Sequence, residues 1–554
     1  MSLSAFPKMK KTRPIPAAIS DVTLRDFSGG LKVTENQLAL KSKFATKLVN
    51  MFADADTSQV LRFGTKEFAT CPANIINTRY YRQSIVSVLV DGTVARTTSA
   101  GVTTIIWNET IANALAGTPD GWAAGVVRAD FTEFRGKLLI CNGVDKPLII
   151  ASDFAVDYLQ DPSAGTNVNT PIGFYMTTVS NYVVMAGISG EEDTIYISSS
   201  GTSGVWPGDA TPNDSLSFNV AAYSSNASSA ITAIGSFKNF LMVYFKTFSI
   251  AISLGTYNAA GTHVPEVIDV YEGLGTVSSK TIETSNKDLI FPSSDGVFSA
   301  EKAVFNNTLT TSSLSADLGD DYIETIGLVP ADDSSSFIVN DPLSKTIFFV
   351  FQQSTGGVKS FALRYTDNMV KKSWCEIQGW SFTAACVSEN GRLFFAQGTK
   401  LYQYGNSVYS NENYYADYIT GASIGNDIVF DWEFPWLDAG NRIKTKKLKN
   451  ITFDTTGTSN FSLQCFVNNY YLDGEGAYDP AVSMDFVAGN AGGYGLNAGG
   501  YGGNGYGGGR RANDERFFAL PIKFKILKLR VFGATKLPLR IASLSLIYAR
   551  GNYN

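Results

Sequence analysis

Seven stretches of this chain share one outline: an apolar or alternating run, a tight turn rich in Gly, Asn or Asp, then a second run. They begin near Ile85, Phe131, Phe174, Ile231, Glu283, Ser335 and Ser381. Successive starts lie 43 to 57 residues apart, close to the ~40–50 residues of one four-stranded propeller blade. A small sheet cannot bury its faces alone, so a recurring sheet has to stack on its own kind. The expected fold is therefore all-β with minor α. It is a β-propeller of about six to seven blades plus a β-rich platform or tip region formed by the N- and C-terminal segments.

The turns carry most of this reading. Ile85 to Val94 holds Asp91-Gly92 between two β-rich runs, a strong hairpin signal. Leu138–Cys141 runs into Asn142-Gly143, Leu289–Phe291 leads to Asp295-Gly296, and Leu393–Ala396 turns at Gln397-Gly398. Blade strands are covered on both faces, so continuous apolar runs are expected beside alternating ones.

Three regions follow. Residues 1–76 form an N-terminal arm and platform segment, residues 77–405 the propeller, and residues 406–554 a C-terminal β region. Within the first, Lys8, Lys10, Lys11 and Arg13 lie beside Pro14 and Pro16 without a following apolar run, which reads as a flexible arm and not a secretory signal. Leu40, Phe44 and Leu48 recur every fourth residue behind Ser42, which predicts a short helix. In the third region, Phe517–Arg530 and Leu539–Tyr548 read as a strand pair completing the sheet that begins near 428. Ile522, Phe524 and Ile526 share one face there, and Lys523 and Lys525 the other. Residues 488–511 are Gly- and Asn-rich with Tyr494, Tyr501 and Tyr506. Ordering so much glycine is entropically expensive, so this tract reads as a protruding loop. Its tyrosines could stack on a ligand, meet symmetry mates, or form an unspecific mobile tip, and the loop is a candidate gate or plug for a channel.

Composition narrows the class. The chain has 554 residues, 44% hydrophobic and 17% charged, which is enough for several cores and excludes a wholly disordered protein. The net charge of −5 disfavours a basic nucleic-acid reader. Cys71, Cys141, Cys375, Cys386 and Cys465 show no CxxC pair and read as free buried thiols, which implies assembly in a reducing compartment. No apolar run approaches the ~18 residues of a membrane span.

Little chemistry emerges. The single histidine, His263, sits in a loop with no GxSxG elsewhere, so a triad or HExxH site is not expected. The glycines from Gly500 to Gly505 match GxGxxG without the strand and helix that give the pattern meaning. Asp320-Asp321 and Asp332-Asp333 are acidic pairs beside Gly and Ser, read as solvated turns. A glycosidase would need two carboxylates in one concave pocket. Ser293 to Phe298 is faintly similar to a sialidase Asp-box, lacks its terminal Trp and occurs once. Catalytic residues, metal ligands and cofactors are therefore expected to be absent. The densest cationic run is Arg442, Lys444, Lys446, Lys447 and Lys449. It could track phosphates along a DNA channel, face a partner, or form a solvated sheet face.

Several segments together resemble the tail nozzle proteins of short-tailed bacteriophages, also called tail tubular protein B or packaged-DNA stabilisation proteins. Asp26-Phe-Ser-Gly-Gly-Leu31 resembles the family's F-x-G-G-l opening. Val60-Leu-Arg-Phe-Gly64 resembles its l-x-R-x-G, with Phe63 where the family has Pro. Phe134 to Pro147 is similar to its N-G-x-d-x-P hairpin, and Trp374 to Tyr404 to one of its blades. Phe434-Pro-Trp-Leu-Asp438 with Arg442 to Leu448 resembles its P-W-l-d-f-g…r-K-r-l strand. The resemblance implies a virion structural protein assembled in the host cytoplasm. It would form a homohexameric ring, dock on a head-to-tail adaptor, carry a tail fibre or spike, and let genomic DNA pass without sequence specificity. It transfers no catalytic residue, and the Gly/Tyr tract matches none of its patterns. The alternative is a receptor-binding or glycan-cleaving β-propeller.

Overall fold

Alternating and apolar runs closed by Gly-containing turns form short antiparallel sheets throughout this chain. The computed structural model describes residues 19–111, 122–159, 170–209, 214–223, 230–255, 264–285, 288–299, 313–330, 333–365, 372–405, 415–420, 425–440, 442–457, 459–468, 482–486, 514–519 and 522–550. Seven sheets follow one another as antiparallel meanders. Their first strands are Ile75–Tyr81, Asp130–Phe134, Gly173–Val179, Ala233–Phe237, Glu283–Ser285, Phe337–Asp341 and Ala384–Val387. Residues from all seven first strands line one central cavity, which makes the array a closed β-propeller.

The expected turns are there for local reasons. Gly92 has φ +80°, and a Cβ on it would lie 2.4 Å from the Trp122 carbonyl oxygen. Asp91 accepts the Thr93 N–H at 3.0 Å across the same turn. Asn142 accepts the N–H groups of Val144 and Asp145 at 3.0 and 2.8 Å, an Asx turn that sets up the next strand.

Closure uses a strand from before the first blade. Thr65–Thr70 pairs antiparallel with Lys400–Tyr404 and becomes the outer strand of the seventh sheet. The propeller therefore recruits residues from the segment expected to be arm and platform, and its first strand begins at Ile75, ahead of the expected boundary at 77. The ring seam is held by chain ends that meet only in three dimensions.

The rest is a β-sandwich fused to the sixth blade. The outer strand of that blade, Lys372–Ile377, bridges in parallel to Lys47–Val49. The sheet then runs through Asn426–Glu433, Ile526–Thr535, Phe461–Asn468 and Val482–Phe486. The facing sheet runs Asp514–Ala519, Lys446–Gly457, Leu539–Arg550, Gln59–Leu61 and Met51–Ala53, with Ile19–Leu24 beside Leu539–Arg550. Phe453, Leu544 and Leu546 meet Trp432, Leu463 and Val531 in one core that also takes in Phe348 and Trp374 of the sixth blade. Shared burial of this kind couples the two parts, since truncating one such aromatic costs about 3–5 kcal/mol.

Four expectations are corrected. The helix around Leu40, Phe44 and Leu48 is absent. Phe44–Ala45 and Lys47–Val49 are strands, because pairing with Gly30–Leu31 and, within one large sheet, with Lys372–Ile377 and Asn426–Glu433 outweighs a helical period. The final strand pair does not complete one sheet. Ile526–Thr535 joins Asn426–Glu433, whereas Leu539–Arg550 crosses to the facing sheet. Asp320 and Asp321 open the helix Asp320–Gly327, where their charge suits its N-terminus. Asp333 is buried and accepts the Ser335 and Ser336 N–H groups at 2.9 and 2.8 Å. Asp332 lies outside the described residues.

Candidate functional site

The cationic run splits when it folds. In an extended strand, neighbours point to opposite faces. Lys446 points inward and is 1% exposed. Its Nζ donates to the carbonyls of Lys444 and Lys525 at 3.3 and 2.9 Å, over the Phe524 ring. Burial lowers its pKa from the ordinary lysine value. Lys446 is thus a structural residue, and the expectation that it contacts DNA or a partner is withdrawn. Lys444 and Lys449 are exposed and Lys447 half-buried. Arg442 donates to Asp438 at 3.1 Å and to the Leu38 carbonyl at 2.7 Å, which ties down its loop.

The structure adds partners that spacing could not reveal. Lys447 stands directly opposite Lys523, and Lys446 opposite Arg550. A like-charge cross-strand pair is unfavourable by itself. Lys444, Lys447, Lys449, Lys523 and Arg550 gather at one end of the sandwich. The alternation at Lys523 was visible in the sequence, but the register that sets it against Lys447 was not.

Tyr494, Tyr501 and Tyr506 lie outside the described residues, as does His263. The strands nearest the Gly/Tyr tract are placed. Val482–Phe486 and Asp514–Ala519 stand last in the strand order of their respective sheets, away from the propeller junction.

Arg62 is 0% exposed and sits where propeller meets sandwich. Its Nε donates to Asn50 Oδ1 at 2.8 Å, and one Nη to the Phe63 carbonyl at 2.8 Å and Asp417 Oδ1 at 2.9 Å. The other Nη reaches the Gln378 carbonyl at 3.2 Å and the second Asp417 oxygen. The guanidinium lies 5.0 Å from the Trp380 ring centroid. Asn50 continues the network to the Val429 carbonyl at 2.6 Å. Two residues on, a Cβ at Gly64 would fall 1.9 Å from the Ala416 carbonyl oxygen, so only glycine fits. The R-x-G segment is a clasp.

The propeller channel is a cavity of about 390 Å3 with titratable walls. Asp130, Glu133, Glu283, Arg79 and Lys280 line it. Lys280 enters from the turn before the fifth blade and crosses to the ring seam. There its Nζ donates to the Ile76 and Thr383 carbonyls, both at 3.1 Å, on either side of the closure. Burial pulls its pKa down to about 8. Burial pushes the Asp130 carboxyl up to about 6 against the Met176 and Phe131 N–H groups, and Glu283 up to about 7 against Arg79 and the Thr284 N–H. At the far end Arg79 and Glu133 are half exposed, 3.7 Å apart. The channel is bridged where its first strands begin and open where they end.

All five cysteines are free and buried. Burial raises Cys386 and Cys465 to about 12, so the reactive thiolate is suppressed. Among the described residues no His/Cys/Asp/Glu group is arranged to hold a metal ion. Among them, too, no helix is long and apolar enough to cross a membrane.

No protein-family model and no curated protein matches this chain. Similar solved structures include PorZ of the type-IX secretion system of Porphyromonas gingivalis, at 12% identity and TM-score 0.36. That match covers 60% of this chain and 37% of PorZ. Streptogramin B lyase matches at 10% identity and TM-score 0.38, over 62% of this chain and 98% of its own. The WD40 propeller domain of Doa1 matches at 11% identity and TM-score 0.36, over 62% and 97%. The propeller assignment here rests on the sheet order and the shared channel.

Proposed function

We propose that this chain is a structural virion subunit, the nozzle of a short-tailed phage tail, working as a scaffold and not as an enzyme. One observation carries the reading: four of the five segments that resemble the nozzle family meet at the joint between propeller and sandwich, while the fifth, Phe134 to Pro147, forms a hairpin of the second blade. Phe27 packs edge-on against Trp432 at 4.8 Å and Phe434 at 6.0 Å. A Cβ on Gly30 would lie 2.7 Å from Ser373, beside Trp374. Arg62 and Gly64 form the clasp. Residues far apart in sequence thus serve one purpose, holding two β bodies in fixed relation, which a ring subunit under mechanical load requires.

In this reading six copies form a ring that docks on a head-to-tail adaptor and carries a fibre or spike. Genomic DNA passes through the ring, not through the propeller channel that Lys280 crosses. Six copies would total about −30, and such a charge opposes adhesion of a polyanion. Lys444, Lys447, Lys449 and Lys523 would be the local exception, holding phosphate until ejection. Mass measurement and negative-stain imaging of the purified chain, alone and with candidate adaptors, test the proposal. A closed six-fold ring is expected; a monomer that never closes with any adaptor overturns it.

A further inference from the structure

The channel collects more polar groups than holding the ring together requires. Lys280 has a plain structural task, since its ammonium spans the seam. Thr132 and Thr178 satisfy each other at 2.9 Å. Arg79 and Glu283 differ. The Arg79 guanidinium approaches Glu133 only to 3.7 Å, an ion pair too long for a hydrogen bond, at the open end of the channel. Glu283, half-buried, lines the same cavity as Arg79, which with the Thr284 N–H favours its charged form.

We infer that the open half of the propeller channel is a binding pocket for a neutral saccharide unit. The lining selects this class in three ways. About 390 Å3 lies within the ~300–1,000 Å3 usual for small-ligand sites. Three carboxyls face two cations, so the wall does not strongly favour a charged ligand. A molecule with several hydroxyls can donate to Glu283 and accept from Arg79 and Ser236 at once. An apolar ligand would leave those groups desolvated and unmet. Lys280 obstructs the other end, so a ligand enters and leaves by the Arg79 end.

This inference does not depend on the nozzle reading. It concerns a single propeller and would hold for a monomer. Failure of ring assembly would leave it standing, and failure of sugar binding would leave the ring proposal standing.

Saturation-transfer NMR on the full chain tests it, with glucose, galactose, rhamnose and N-acetylglucosamine as probes and free glycine as the zwitterion control. At least one sugar is expected to bind with a Kd on the order of 1 mM, and glycine not to bind. Glu283→Gln and Arg79→Ala should each weaken binding about tenfold or more, whereas Lys137→Ala, outside the channel, should leave it unchanged. If either channel variant misfolds, Ser236→Tyr fills the open end and should abolish binding in a protein with intact thermal unfolding. The inference is overturned if none of the four sugars binds at about 50 mM, roughly fifty times that Kd. It is equally overturned if binding persists in the folded channel variants, or if glycine binds and the sugars do not.

Discussion

Two groups of charges inside this molecule, one fully buried and one half-buried, are built on opposite plans. At the joint, Arg62 spends its donors on Asn50, Phe63, Gln378 and Asp417, under the Trp380 ring. In the channel, Asp130, Glu283 and Lys280 are half-buried, with backbone partners in place of an opposite charge at contact distance, and all three shift toward their neutral forms. A saturated charge network fixes one geometry, since any displacement breaks several bonds together. An unsaturated one retains chemistry for a ligand and lowers stability in its absence.

The largest expected effect breaks the first plan. Arg62→Ala leaves Asp417 buried and unpaired, and should cost about 3–5 kcal/mol in urea unfolding. If the clasp couples the two bodies, the variant should also separate one transition into two; a loss under about 1 kcal/mol would show that the network adds little. Gly64→Ala comes next. The clash with the Ala416 carbonyl should cost about 1–3 kcal/mol, with the same separation of transitions.

The second plan predicts a pH dependence. Asp130 and Glu283 have folded pKa values of about 6 and 7, above the ordinary 3.8 and 4.5. Between those limits the folded chain holds more protons than the unfolded one. Their contribution is therefore complete below the ordinary values and is lost as pH rises through 6 to 7. Lys280 runs the other way. With a folded pKa of about 8 against 10.5, its unfavourable contribution is relieved as pH climbs between the two. Thermal unfolding followed across pH 4 to 10 should show both trends, and Glu283→Gln should flatten the acidic limb. An unchanged limb would remove Glu283 from the account.

The smallest effect concerns the exposed cations. Lys449→Ala should change stability by less than about 0.5 kcal/mol. If the sandwich end holds phosphate, it should also lower the salt slope of DNA retention by about 1. An unchanged slope would make that face merely solvated.

Much of the propeller could be read from local pattern. Six of the seven blade starts fall within a few residues of the observed first strands, because Gly and Asn turns declare themselves over two or three positions. The first was placed at Ile85 and lies at Ile75, since the Asp91-Gly92 hairpin marks the middle strands of its blade and not the first. Leu40, Phe44 and Leu48 misled by presenting a helical period in a segment where Phe44–Ala45 pairs with Gly30–Leu31 and Lys47–Val49 with partners more than 300 residues away in sequence. The clasp appeared only as a motif, and the channel cluster not at all. Asp130, Glu283 and Lys280 are ordinary residues until seven blades bring them together.

By itself the sequence determined the strands and their turns, because alternation and turn chemistry act between neighbours along the chain. It also determined that the cysteines would be free and buried. Only the tertiary structure decided which lysine faced inward, which strand sealed the ring, and which carboxyls shared a cavity. Those outcomes depend on who stands across the sheet or across the channel, and burial changes the energy of a charge far more than its sequence neighbours do.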